Sequence, residues 1–212
     1  MAALLTNLGL TLKEQGAYAR ALDLLTESLA LDQELGDSYG VAAALSNLGW
    51  VAHAQGDYAR AMELYAESLQ HARALGHAFL VGVVLGNQAH TAYALGDDAR
   101  ATALYREVLA TARTLGVPWG CAVCLEGLAR VAARHGKMER AARWWSAAAA
   151  IRATIDAPLT VGDRLAYGHD QSVAAARAAL GDARFGVAWA AGAALRPEDA
   201  YAEALAGSTA WL

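Results

Sequence analysis

Cys121 and Cys124 stand as Cys-Ala-Val-Cys directly after Trp119-Gly120, the spacing of a redox dithiol in which one thiolate attacks and the other resolves. His53 and His90 are the other residues with ligand chemistry, but a closed zinc site needs about four ligands. No G-x-x-x-x-G-K-[ST] loop is present to cradle a phosphate. No Ser, His and acid recur in triad order, and no two carboxylates are placed to converge on an apolar pocket. The residues better suited to a task are polar groups suited to binding. Asn7, Asn47 and Asn87 recur at a spacing of 40; three residues on stand Leu10, Trp50, His90 and Arg130, and beyond them Lys13, His53, Tyr93 and Arg134. An amide donates and accepts at once, so a ladder of amides suits an extended peptide, whose polar groups recur about every 6.6 Å. The alternative is that these amides bond a neighbouring helix or loop and set the angle between repeats. Trp and Arg are the residue types that most often anchor interfaces, which makes Trp50 the favoured anchor and Arg130 with Arg134 the place for an acidic group.

That spacing belongs to the whole chain. QGAYARALDLLTESL at 15–29 returns as QGDYARAMELYAESL at 55–69 and LGDDARATALYREVL at 95–109. Gly16, Gly56, Gly96 and Gly136 align, as do Ala21, Ala61, Ala101 and Ala141, and Leu5, Leu45, Leu85 and Leu125; Gly36, Gly76 and Gly116 mark a second boundary, which Asp156 takes in the fourth copy. Between these boundaries the apolar residues follow helical spacing, for example Tyr58, Ala61, Met62, Tyr65, Leu69 and Ala72. Each unit is therefore expected to be a hairpin of two helices of about 17 residues, roughly 25 Å long. The register also decides the cysteines. Cys121 falls on Val41 and Val81, and Cys124 on Ala44 and Val84, so both sulfurs replace small core groups on a helix. Trp144 and Trp145 fall on Leu64 and Tyr65 and are likewise core residues.

Leu5, Leu8-Gly9, Leu12, Ala21 and Leu25, followed by Leu45, Leu48-Gly49, Ala52, Ala61 and Tyr65, resemble the tetratricopeptide repeat. The later copies carry Gln88-Ala89 and Leu128-Ala129, with Ala101, Tyr105, Ala141 and Trp145 intact. The unit here is longer than the usual one, as in the variant of kinesin light chains and many bacterial signalling proteins. The resemblance implies an all-α, right-handed α-solenoid with first helices on the concave face, in which groove asparagines hold a peptide. Four repeats are expected at 1–36, 37–76, 77–116 and 117–156, and capping helices at 157–212. In the cap, a long helix is expected from Pro158 to Leu180, then two shorter ones near 182–191 and 197–206. Arg177, Leu180, Gly181, Phe185, Trp189, Gly192 and Ala200 resemble the C-terminal end of the sensor region of bacterial MalT-like, STAND-class regulators. That likeness implies a sensor or interaction part of a bacterial signalling or transcription-regulating system, excised or free-standing.

Composition sets the remaining bounds. With 56% hydrophobic residues, built mainly from Ala and Leu, and three Pro, the chain favours helix and has ample core material. A net charge of -4 argues against direct nucleic-acid binding. The lack of a basic n-region and of a long apolar run leads to the expectation of a cytoplasmic protein without a membrane span. The reading is a non-catalytic scaffold, with no cofactor and no metal, that binds a peptide or protein segment in its concave groove. Self-association into a homodimer through the groove or an exposed end is the alternative.

Overall fold

The computed structural model of the protein describes residues 1–160, 164 and 167–206. Eight helices run as four hairpins: α1 (Ala2–Glu14) with α2 (Tyr18–Leu35), α3 (Ser38–Ala54) with α4 (Tyr58–Ala74), α5 (Ala78–Ala94) with α6 (Asp98–Leu115), and α7 (Pro118–Arg134) with α8 (Met138–Thr154). Among the described residues three more follow: α9 (His169–Leu180), α10 (Asp182–Ala193) and α11 (Pro197–Ala206). No strand occurs among the described residues.

The helix ends follow from local chemistry. Asp57 and Asp97 accept a hydrogen bond from the backbone N–H groups of Arg60 (3.1 Å) and Arg100 (3.0 Å), and His77 does the same for Leu80 (3.2 Å). Each satisfies a donor that the first helical turn leaves open. Gly36 and Gly116 close α2 and α6 in the left-handed conformation, at φ 67° and 65°, which costs little only without a Cβ. Asp156 takes the fourth such turn at φ 49°, the one non-glycine residue with positive φ among those described.

Residues 40 apart share their surroundings. Ala21, Ala61, Ala101 and Ala141 are all fully buried, and Ser28 Oγ donates to Ala2 O (3.0 Å) as Ser68 Oγ does to Ala42 O (2.7 Å). Gly49 is needed in α3 because a Cβ there would lie 2.6 Å from the ring of Tyr65 in α4. Consecutive helices pack along the whole stack, and α1, α3, α5 and α7 also touch one another in turn. The second helices of the hairpins, α2, α4, α6 and α8, lack contacts of that extent with one another. The odd-numbered helices therefore line the tighter, concave side of a tetratricopeptide-like solenoid.

The cap differs from expectation at its start. Residues 157–160 are not helical, Arg164 is, with its N–H donating to Thr160 O (3.0 Å), and α9 begins at His169, behind Gly168 at φ 57°. The left-handed turn at Gly168 separates α9 from what precedes it; residues 161–163 and 165–166 of the expected helix lie outside the described residues. The two shorter helices occur as expected, and α9, α10 and α11 all pack on α8, burying Ala176, Phe185, Ala200 and Tyr201. Among the described residues no helix is long and apolar enough to cross a membrane.

Candidate binding site on the concave wall

Because α3, α5 and α7 stand in register, the aligned residues Trp50, His90 and Arg130 come together on the inner wall. They surround a cavity of about 290 Å³ that Lys13, Asn47, Asn87, Glu126, Arg152 and Thr160 also line. Trp50, His90 and Arg130 are buried, so the row that the sequence presents as variable is partly withdrawn into the protein. What covers it is the chain itself. Tyr167, from the segment joining α8 to α9, accepts a hydrogen bond on its hydroxyl from Trp50 Nε1 (2.9 Å). Its main-chain carbonyl accepts another from Arg130 Nη1 (3.2 Å), and its ring lies 4.0 Å, centre to centre, from the His90 imidazole.

Behind Tyr167 lies a polar network. Arg130 Nη2 donates to His90 Nδ1 (2.7 Å) and to the Tyr105 hydroxyl (3.2 Å), and Tyr105 also bonds His90 Nδ1. A guanidinium only donates, so Nδ1 accepts and His90 is the neutral tautomer protonated at Nε2. Burial, then the charges of Arg130 and His53, hold His90 well below the usual histidine range. Burial raises the Tyr105 hydroxyl well above its ordinary value, offset in part by Arg130. Arg130 has no carboxylate partner among the described residues; a carbonyl, a phenol and an imidazole solvate its charge, and it keeps a strong attraction for an anion.

The remaining sequence-predicted residues divide into two groups. Asn47 and Asn87 line the cavity half-buried, and Asn87 Nδ2 makes one long bond, 3.3 Å, to Ser46 Oγ of α3. Lys13 lies 4.5 Å over the Trp50 ring. Asn7 is exposed on α1, and neither it nor Leu10 lines the cavity. Arg134 is turned to its own chain: it pairs with Asp98 (2.6 Å), donates to Tyr93 O (2.9 Å) and packs over the Tyr93 ring. The fourth rung of the asparagine column is Gly127, where any Cβ would fall 2.2 Å from the Tyr105 ring. The ladder therefore stops where that phenol takes the space. Cys121 and Cys124 are buried, and burial raises both thiols, as befits core residues.

His53 is buried against Tyr58 of α4, Thr91 of α5 (Nδ1 to Oγ1, 2.9 Å), Arg130 of α7 and Tyr167. Burial, then Arg130, lowers it from 6.5 to about 4. The unfolded chain thus takes up a proton near pH 6.5 that the folded chain refuses until about pH 4, so stability is complete above 6.5 and is lost as pH falls through that window. Between pH 7.5 and 5.5 the expected loss from His53 is about 1 kcal/mol, and His90 adds to it with the same sign. Urea unfolding at the two pH values checks this: His53→Gln should shrink the difference, and an unchanged difference would show that His53 titrates normally.

Three residues of the site escaped the sequence reading. Tyr167 lies past the end of the repeat, where no aligned position marks it. Glu126 and Arg152 form a buried two-pronged ion pair, 2.7 and 3.0 Å. These two did leave a signal: Glu126 aligns with Thr6, Ser46 and Gly86, and Arg152 with Asp32, Ala72 and Ala112, so opposite charges appear together in the fourth copy where the second and third copies hold small residues. Tetratricopeptide repeat models match residues 1–74 and 84–118 of the chain. No curated protein sequence matches it at a significant level.

Proposed function

From the premise that the chain is a tetratricopeptide repeat protein, we propose that it is a non-catalytic interaction scaffold whose concave wall holds an extended segment of a partner protein. The observation that carries this reading is the inner wall itself: Asn47, Asn87, Trp50, His90 and Arg130, supplied by the first helices of three successive hairpins, open onto one cavity. Trp50 offers an indole face and an N–H, the asparagines bond a peptide backbone, and Arg130 draws an acidic group of the partner. An apolar cleft lined by Phe79, Val83, Leu115, Trp119 and Val123 adjoins this cavity and accepts side chains next to the anchored stretch. The likeness of the tail, through Leu180, Gly181, Phe185, Trp189 and Gly192, to the sensor end of MalT-like regulators supports a role in bacterial signalling or transcription control, in which segment binding reports to an ATPase or DNA-binding partner.

A random peptide library displayed on phage tests the reading. Selected peptides should lose about thirtyfold in affinity when Asn47 and Asn87 are both replaced by Ala, from two hydrogen bonds of about 1 kcal/mol each. The melting temperature should hardly move, since among the described residues the side-chain bond these amides make is the long one to Ser46. If no peptide is enriched, or if melting drops while affinity stays, the asparagines only brace the repeats and the reading is overturned.

A further inference from the structure

The contacts of Tyr167 specify more than a generic groove. Its ring lies on the His90 imidazole, with the Arg130 guanidinium carbon 5.0 Å from its centre and 5.1 Å from that of Tyr93. Its hydroxyl meets the only polar atom of the Trp50 ring (2.9 Å), and its carbonyl meets Arg130 (3.2 Å). Three wall residues thus read three parts of one amino acid: the aromatic face, the phenol and the main chain. A Phe in place of Tyr167 would leave the indole N–H of buried Trp50 without this acceptor, and such a loss is costly away from water. The wall is built to take tyrosine.

We propose that the concave wall is a tyrosine receptor, that Tyr167 is its resident intramolecular occupant, and that the partner segment carries a tyrosine which displaces it. The proposal rests on the scaffold reading above and names its ligand chemistry. Displacement is favoured further when the partner brings a carboxylate to Arg130, because the carbonyl of Tyr167 is a neutral acceptor and Arg130 has no ion pair among the described residues. The resident tyrosine acts as a threshold. A tethered group is present at an effective concentration on the order of millimolar, so a segment with a Kd on the order of 0.1 mM keeps the pocket about tenfold closed. A weak or accidental tyrosine peptide is thereby excluded, and a tight one opens the site.

The hexapeptide acetyl-Arg-Leu-Ala-Tyr-Gly-His-amide, copied from positions 164–169, is the probe. Titrated into the Tyr167→Ala chain and followed by the Trp50 indole N–H signal in nitrogen-edited NMR, it should bind about tenfold more tightly than to the unaltered chain. The same peptide with Phe for Tyr should bind several-fold more weakly, and Trp50→Phe, followed by isothermal titration calorimetry, should abolish that preference. In the absence of any peptide, Tyr167→Phe should shift the Trp50 signal, which reads the contact itself without the risk that Ala disturbs the joining segment. Equal binding of the probe to both chains, or no binding to either, overturns the proposal, as does an unmoved Trp50 signal in Tyr167→Phe. The scaffold reading fails separately: it falls if library peptides bind neither chain, and it survives if they bind the wall with no preference for tyrosine and no gain on removing Tyr167.

Discussion

Replacing Arg152 with Ala is expected to destabilise the protein by about 3–5 kcal/mol, because it takes the two-pronged cationic partner from a buried carboxylate. Arg152 and Glu126 are both buried, joined by two bonds of 2.7 and 3.0 Å, and Arg152 also donates to Ala157 O (3.1 Å). Removing the guanidinium leaves Glu126 charged in a low-dielectric setting, or forces it to take up a proton. Either result lowers the midpoint of thermal unfolding by roughly 10 °C in a chain of this size. The double change Arg152→Met with Glu126→Gln should recover most of the loss, since swapping a whole buried pair for uncharged groups of similar volume is often close to neutral. Urea unfolding followed by circular dichroism measures both. A loss below about 1 kcal/mol in Arg152→Ala would mean that water reaches Glu126 and that the pair is not a closed part of the core.

The same pair explains why the fold was more legible than the site. A repeat makes each position testable against its equivalents, so one column of alanines and one of glycines announce a close helix contact and a turn, and the structure places Ala21, Ala61, Ala101 and Ala141 in full burial. Even the exception kept its meaning, because Asp156 adopts the positive φ that glycine holds in the other repeats. Departures from a column are harder to interpret. Trp50, His90 and Arg130 differ from one another, and variation alone does not say whether a residue faces solvent, a partner or another segment of the chain. Here the third holds: Tyr167 covers them, at a sequence distance of 117 residues from Trp50. No period, motif or propensity links two residues so far apart outside the repeat. Arg134 illustrates the converse: its charge is paired with Asp98 across the wall, a contact that no column of the repeat announces. Likewise the asparagine column looks open-ended in sequence, and only the position of the Tyr105 ring shows why its fourth member is Gly127.

Two glycines of one helix should respond in opposite directions to the same substitution, and the contrast tests how the cap is held. In α10, a Cβ on Gly192 would fall 2.1 Å from the backbone oxygen of Arg143 in α8, whereas a Cβ on Gly186 would meet nothing within 4 Å. Backbone cannot rotate aside as a side chain can, so Gly192→Ala must push the two helices apart and loosen the packing of Phe185 and Trp189 that covers the end of the stack. The expected cost is roughly 3 kcal/mol, a fall of roughly 9 °C in melting temperature. Gly186→Ala adds only the ordinary gain of alanine over glycine inside a helix, about 1 kcal/mol, and should raise melting by roughly 3 °C. Helix propensity predicts a gain at both sites and close packing predicts a gain at only one. Differential scanning calorimetry of the two variants therefore isolates the packing contribution: a rise in both would mean that α10 does not rest on α8 at this distance, and that the last repeat is capped by some other surface.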